Sequence, residues 1–141
     1  MECLPVLTAE EVQAFIEEVF PQQNGILHTV GIGPMTATAR MTIGYEHLRP
    51  GGTVSGPAMF TVADCAFYMA VLGMIGREAL TVTSNLNINF LRKPKAETDL
   101  ICTARILKLG RLLATGDATV WSEGQDAPVA HATVTYAIPP K

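Results

Sequence analysis

The sequence is poor in charge, poor in aromatic residues and sparing with cysteine. Of its 141 residues 16% are charged and 6% aromatic, with a single tryptophan. Ten Lys and Arg against thirteen Asp and Glu leave a net charge of −3. A chain without basic excess offers no footprint for a phosphate backbone, so nucleic acid is not expected as a partner. Cys3, Cys65 and Cys102 are odd in number and far apart. They supply neither a disulfide framework nor a C-x-x-C spacing. His28, His47 and His131 are isolated and lack metal-ligand spacing. There is no G-x-S-x-G elbow and no Walker loop, and Gly31-x-Gly33 lacks its third glycine. The start, Met-Glu-Cys-Leu-Pro, lacks the basic region and apolar run of a signal peptide. A soluble cytoplasmic protein with no metal is the expectation. What remains is a chain that is 48% hydrophobic, enough to bury a core, at a length suited to one domain over residues 1–141.

One run stands out. Pro57 to Gly76 reads PAMFTVADCAFYMAVLGMIG, twenty residues with a single charge, Asp64. Length alone permits a membrane span. A carboxylate near a bilayer centre costs roughly 2.5–3.5 kcal/mol, however, and Thr61 and two glycines weaken the run further. The expectation is instead a helix wrapped on nearly all sides by the rest of the chain.

The rest of the chain supplies a wrapper. Thr8 and Glu11 are spaced as a capping box, and Val12, Phe15, Ile16 and Val19 follow at helical spacing until Pro21, so an amphipathic helix is expected over about residues 8–20. Leu27 to Ile32 is a short strand by composition. From Thr36 to Tyr45 the period is two, with Ala37, Ala39, Met41, Ile43 and Tyr45 on one side. After the apolar run come four more strands. In the first, Leu80, Val82, Leu86, Ile88 and Phe90 alternate with a polar row of Thr81, Thr83, Asn85, Asn87 and Asn89. Leu100 to Ile106 turns at Lys108-Leu109-Gly110-Arg111 into Leu112 to Trp121, and Val129 to Ile138 closes the chain. Helices on one face of an antiparallel sheet make an α+β fold, and a sheet that must curl round a long central helix is the hot dog arrangement.

Asp64 is the residue to explain. Within an uncharged stretch, burial penalises its charged form and makes it a candidate general base or nucleophile. Ser55-Gly56-Pro57 leads into the same helix. Gly56 lets a ligand approach the backbone and leaves an N–H near the positive end of the helix dipole, as an oxyanion site requires; Ser55 also suits a helix cap. Thr83 in its polar row could position a water. Arg92, Lys93 and Lys95, with Lys108 and Arg111 at the later turn, could meet the phosphates of a coenzyme. Cys65 reads as a core residue.

With these residues in hand, the sequence resembles the hot dog-fold acyl-CoA thioesterases of the PaaI-like (phenylacetic acid degradation) type, from about Leu27 to Ile138. Ser55-Gly56-Pro57-Ala58-Met59-Phe60-Thr61-Val62-Ala63-Asp64 resembles the signature H-G-G-x-x-x-x-L-x-D/E, with Ser55 in place of the histidine and Pro57 in place of the second glycine. Asn87-Ile88-Asn89-Phe90-Leu91-Arg92-Lys93-Pro94 resembles the strand that follows. The resemblance implies Asp64 as the catalytic carboxylate, Gly56 as the amide that polarises the thioester carbonyl, and Thr83 as a hydroxyl that helps hold water. It implies substrate contacts at Ser55, Arg49, Asn85, Arg92, Lys93 and Arg111, with Arg49 standing where relatives often carry an amide. It further implies a small or medium acyl-CoA substrate, no cofactor beyond the coenzyme A of that substrate, and sites shared between subunits of a homodimer or a dimer of dimers. The alternatives are an acyl-CoA-binding sensor on the same scaffold, or a dehydratase if His47 or His131 reaches Asp64.

Overall fold

The computed structural model describes residues 4–140; Cys3 lies outside them. In order the elements are α1 (Ala9–Val19), β1 (Leu27–Gly33), β2 (Thr36–Met41), α2 (Gly56–Ile75), β3 (Val82–Phe90), β4 (Leu100–Leu109), β5 (Leu113–Ser122) and β6 (Ala130–Ala137), with single 3-10 turns at Pro21–Gln23 and Tyr45–His47. The six strands form one sheet in the order β1-β2-β4-β5-β6-β3, every pairing antiparallel. α2 packs against all six strands, so the sheet wraps it, as the hot dog arrangement requires.

Both helices begin as the local chemistry dictates. Thr8 accepts from the Glu11 N–H while the Glu11 carboxylate accepts from the Thr8 N–H, a reciprocal cap. Ser55 Oγ accepts from the Ala58 N–H at 3.2 Å at the head of α2. The helix starts at Gly56, so Pro57 occupies its second position, where its missing N–H costs no intrahelical hydrogen bond. Gly76 ends it at φ +99°, a conformation that favours glycine.

Burial in the sheet accounts for the apolar character of α2. From Ala58 to Gly73 every residue is buried except Phe60, Thr61 and Asp64. With exposed Pro57 these form one stripe at helical spacing, and that stripe borders β3. Inward residues of the strands close the other sides: Ala37, Ala39 and Met41 from β2, Leu100, Cys102, Ala104 and Ile106 from β4, and Ala130, Ala132 and Val134 from β6.

Two strand expectations change. The alternation from Thr36 stops being a strand at Met41, because the Ile43 N–H leaves the ladder to donate to Asp99 Oδ1 at 2.9 Å. Tyr45 falls in the following turn, 91% exposed. The second change is in β3. Its pairing with β6 slips between Thr83 and Asn85, a bulge that takes up Ser84. One extra residue inverts the parity upstream of it. Leu86, Ile88 and Phe90 oppose the inward Val134, Ala132 and Ala130, yet Thr83 opposes the inward Tyr136. Thr83 therefore leaves the polar row of Asn85, Asn87 and Asn89 and faces α2. Thr81 is buried, while Thr83 stays exposed at the rim and Leu80 and Val82, expected inside, are exposed as well.

Candidate active site

Asp64 sits on the open stripe of α2, half-buried rather than sealed in an apolar crevice. Its Oδ1 accepts from the Thr83 hydroxyl at 2.6 Å and lies 2.8 Å from the Tyr136 hydroxyl. The bulge in β3 makes the first contact possible, and the Thr83–Tyr136 cross-strand pair delivers both hydroxyls to one oxygen. Tyr136 is 4% exposed, and its ring lies against Phe67 and Tyr68. Sequence reasoning overlooked it. The signal was present: in the last strand Tyr136 falls in the inward row with Val134 and Ile138, and a buried tyrosine hydroxyl needs a partner.

A cavity of about 560 Å³ opens beside Asp64. Val19 and Phe20 from the end of α1, Tyr68 from α2, and Leu80 and Val82 around the start of β3 give it apolar walls. Cys65 also borders it; burial, then the neighbouring Asp64, pushes that thiol up to about 12, so it stays a protonated core group.

Gly56 belongs to a different cavity. With Pro57, Phe60, Thr61, Ile88 and Phe90 it lines a space of about 490 Å³ at the N-terminus of α2. Its N–H heads the helix, where no intrahelical acceptor exists and the dipole favours an oxyanion. A side chain at this position would press on the Phe90 ring, whose nearest atom lies 3.3 Å from where a Cβ would stand.

A scan against known protein families matches residues 51–136 to the thioesterase superfamily. The chain belongs to the thioesterase superfamily. It is 30% identical to human acyl-coenzyme A thioesterase 13 over 95 residues, 67% of each chain. A crystal structure of a protein assigned as a thioesterase from Silicibacter sp. superposes with a TM-score of 0.92 at 48% identity, covering 99% of this chain and 97% of that one. The phenylacetic acid degradation protein PaaI of Thermus thermophilus superposes with a TM-score of 0.72 at 25% identity, covering 84% and 99%. The PaaI-like resemblance read from the sequence holds, and this thioesterase is a thioester hydrolase with the hot dog fold.

The remaining sequence-predicted residues are spread over the thioesterase. Arg49 lines a separate loop cavity with Tyr45 and Glu97. Ser55 is 9% exposed and its hydroxyl is engaged in the helix cap. Asn85 lies on the outer face of the sheet, where its Oδ1 accepts from Asn87. Arg92 and Lys93 are exposed just beyond β3, near the Gly56 end of α2, and Arg92 donates to the Pro128 carbonyl. Arg111 lies beside Met74 and Ile75, at the other end of that helix. Within one chain these basic residues cannot gather on one ligand. The histidines also stay away from Asp64: His131 pairs with Asp117 at 3.1 Å, and His47 Nδ1 accepts from the Gly44 N–H. Within one chain no histidine is hydrogen-bonded to Asp64, whose side-chain partners are Thr83 and Tyr136.

Proposed function

We propose that this thioesterase hydrolyses small or medium acyl-CoA thioesters, with Asp64 as general base or nucleophile and the Gly56 N–H as the oxyanion donor. The observation that carries this reading is the carboxylate on the open stripe of α2, held by hydroxyls at the mouth of an apolar cavity. The curated relative's name, acyl-coenzyme A thioesterase, supports the substrate class. In the water route, Asp64 takes a proton from water as its oxygen attacks the carbonyl carbon. The carbonyl electron pair moves onto oxygen, where the Gly56 amide stabilises it. Collapse re-forms the carbonyl, breaks the carbon–sulfur bond and returns the proton to the departing coenzyme A thiolate. In the covalent route a carboxylate oxygen of Asp64 attacks instead, and the carbon–sulfur bond breaks to release coenzyme A thiolate and leave a mixed anhydride. Water then cleaves that anhydride to the free acid and the Asp64 carboxylate, its proton going to the thiolate.

A complete site takes two copies of the chain. Gly56 and Asp64 are eight residues apart on one helix, about 12 Å along its axis, too far to serve a single carbonyl. Two chains related by a two-fold axis would set the Gly56 cavity of one against the Asp64 cavity of the other. The β3 edge supports this reading, since among the described residues it has no strand partner on its outer side and it exposes Val82 and Phe90, beside exposed Phe60 on α2. Thr83 helps hold the carboxylate. Arg92, Lys93, Arg111 and Arg49 are assigned to coenzyme A phosphates once a second chain is in place, and the scattered cysteines support a cytoplasmic location. Thiol release from a panel of acyl-CoAs tests the reading. Asp64→Asn should slow turnover about a hundredfold or more, the scale of a lost general base. Thiol release at the parental rate by that variant, or acyl-CoA binding with no thiol release by the parent, would overturn it.

A further inference from the structure

We infer that Tyr136 is a positioning residue, fixing which oxygen of Asp64 reacts; this rests on the reading of Asp64 as base or nucleophile. Oδ1 is approached by two hydroxyls, Thr83 at 2.6 Å and Tyr136 at 2.8 Å. Two donors fill the usual accepting capacity of one carboxylate oxygen. Among the described residues Oδ2 has no hydrogen-bond partner, so it is the oxygen left to meet water or a thioester carbon. The Tyr136 hydroxyl also lies 2.9 Å from the Asp64 main-chain carbonyl, so its one proton is shared between the backbone and the side chain of the same residue. That double contact ties the carboxylate's rotamer to the helix that carries it.

The phenol is built to remain a donor. Its ring stacks on Tyr68 with centroids 5.9 Å apart and tilts against Phe67 at 5.6 Å, which prevents it from swinging away. Burial, then the Asp64 charge, holds its ionisation far above the ordinary phenol value, so the proton stays on oxygen at any working pH. The other groups packed round Asp64 are Cys65 and Tyr68 on α2, Thr83 on β3, and Val19 and Phe20 across the cavity. Cys65 and Tyr68 are both shifted upward by burial, and the rest do not titrate.

Tyr136→Phe keeps the ring and deletes only the hydroxyl. We expect kcat to fall about tenfold with KM nearly unchanged, the scale of one hydrogen bond to a charged group. Difluorotyrosine in place of Tyr136 keeps the ring and the donor hydroxyl, should hold kcat near the parental value, and serves if the phenylalanine variant folds poorly. Asp64→Asn is assayed in parallel. If Asp64→Asn is inactive while Tyr136→Phe keeps the parental kcat, or while difluorotyrosine loses as much kcat as an absent hydroxyl should, the positioning role is refuted and the carboxylate's role stands. If Asp64→Asn retains full activity, the reading of Asp64 fails and this inference with it.

Discussion

Gly116→Ala tests the packing that supports the site. Gly116 lies in β5 opposite Ile106, and a Cβ there would stand 2.0 Å from the Arg105 carbonyl oxygen and 2.8 Å from a ring carbon of Phe67. The first contact is with backbone, so no rotamer change relieves it. The second is with a ring that has no exposure at all. β4 and β5 must separate locally, or Phe67 must move toward Tyr136. Overpacking of a tight core costs typically 1–3 kcal/mol, and a backbone collision belongs at the upper end, about 3 kcal/mol. For a chain of this size that lowers Tm by about 10 °C. Gly31→Ala is the control, because nothing lies within 4 Å of its Cβ position and its φ is ordinary; a shift within about 0.5 kcal/mol is expected there. Thermal unfolding followed by circular dichroism reads both. A Gly116→Ala variant melting within about 2 °C of the parent would refute the packing at this point, since that margin is under 1 kcal/mol. Because Phe67 backs the Tyr136 ring, the same variant should lose thiol-release activity at temperatures where it is still folded.

Two further predictions concern stability. The Gln13 amide ties α1 to β1, accepting from the Thr29 N–H at 2.7 Å and from its hydroxyl at 2.8 Å while donating to the Leu27 carbonyl at 3.1 Å. Gln13→Ala strands a partly buried N–H and should cost about 1–3 kcal/mol, read as a lower denaturant midpoint with unchanged slope. Burial pushes the Asp117 carboxyl up, but hydrogen bonds from His131 and Arg105 outweigh it and hold the group below its ordinary value of 3.8. A depressed value stabilises the fold above pH 3.8 and the gain is lost as pH falls through the folded value, so Asp117→Asn should melt below the parent at pH 7, with the gap closing as pH falls below 3.8.

Much of this was legible in the residues because one period governed each stretch. The apolar run from Pro57 can be satisfied only by burial, and Asp64 within it stands out by contrast alone. The capping chemistry at Thr8 and Ser55 is local, so it survives folding unchanged. What misled was β3. Its apolar row through Leu80, Val82, Leu86 and Phe90 is broken only at Ser84, where Thr83, Ser84 and Asn85 run together, and a lone serine in such a row does not by itself announce that it will be left out of the ladder. Pairing with β6 decides that, and β6 lies some fifty residues further along the chain. Tyr136 was missed for a related reason: its partner is distant in sequence, although an inward tyrosine hydroxyl among apolar neighbours already demanded one. The opposite ends taken by Arg92 and Arg111 follow from strand order, which local patterns do not encode.

The bulge at Ser84 makes the chemistry of this thioesterase depend on counting. Side chains on a ladder take turns, so a single inserted or lost residue anywhere between the slip and Thr83 would hand the Asp64-facing slot to a neighbour. The ladder from Asn85 to Phe90 would keep its hydrogen bonds and its rows intact. Such a change would leave the protein folded and its carboxylate deprived of a hydroxyl, which makes this short stretch a place where insertions and deletions separate architecture from turnover.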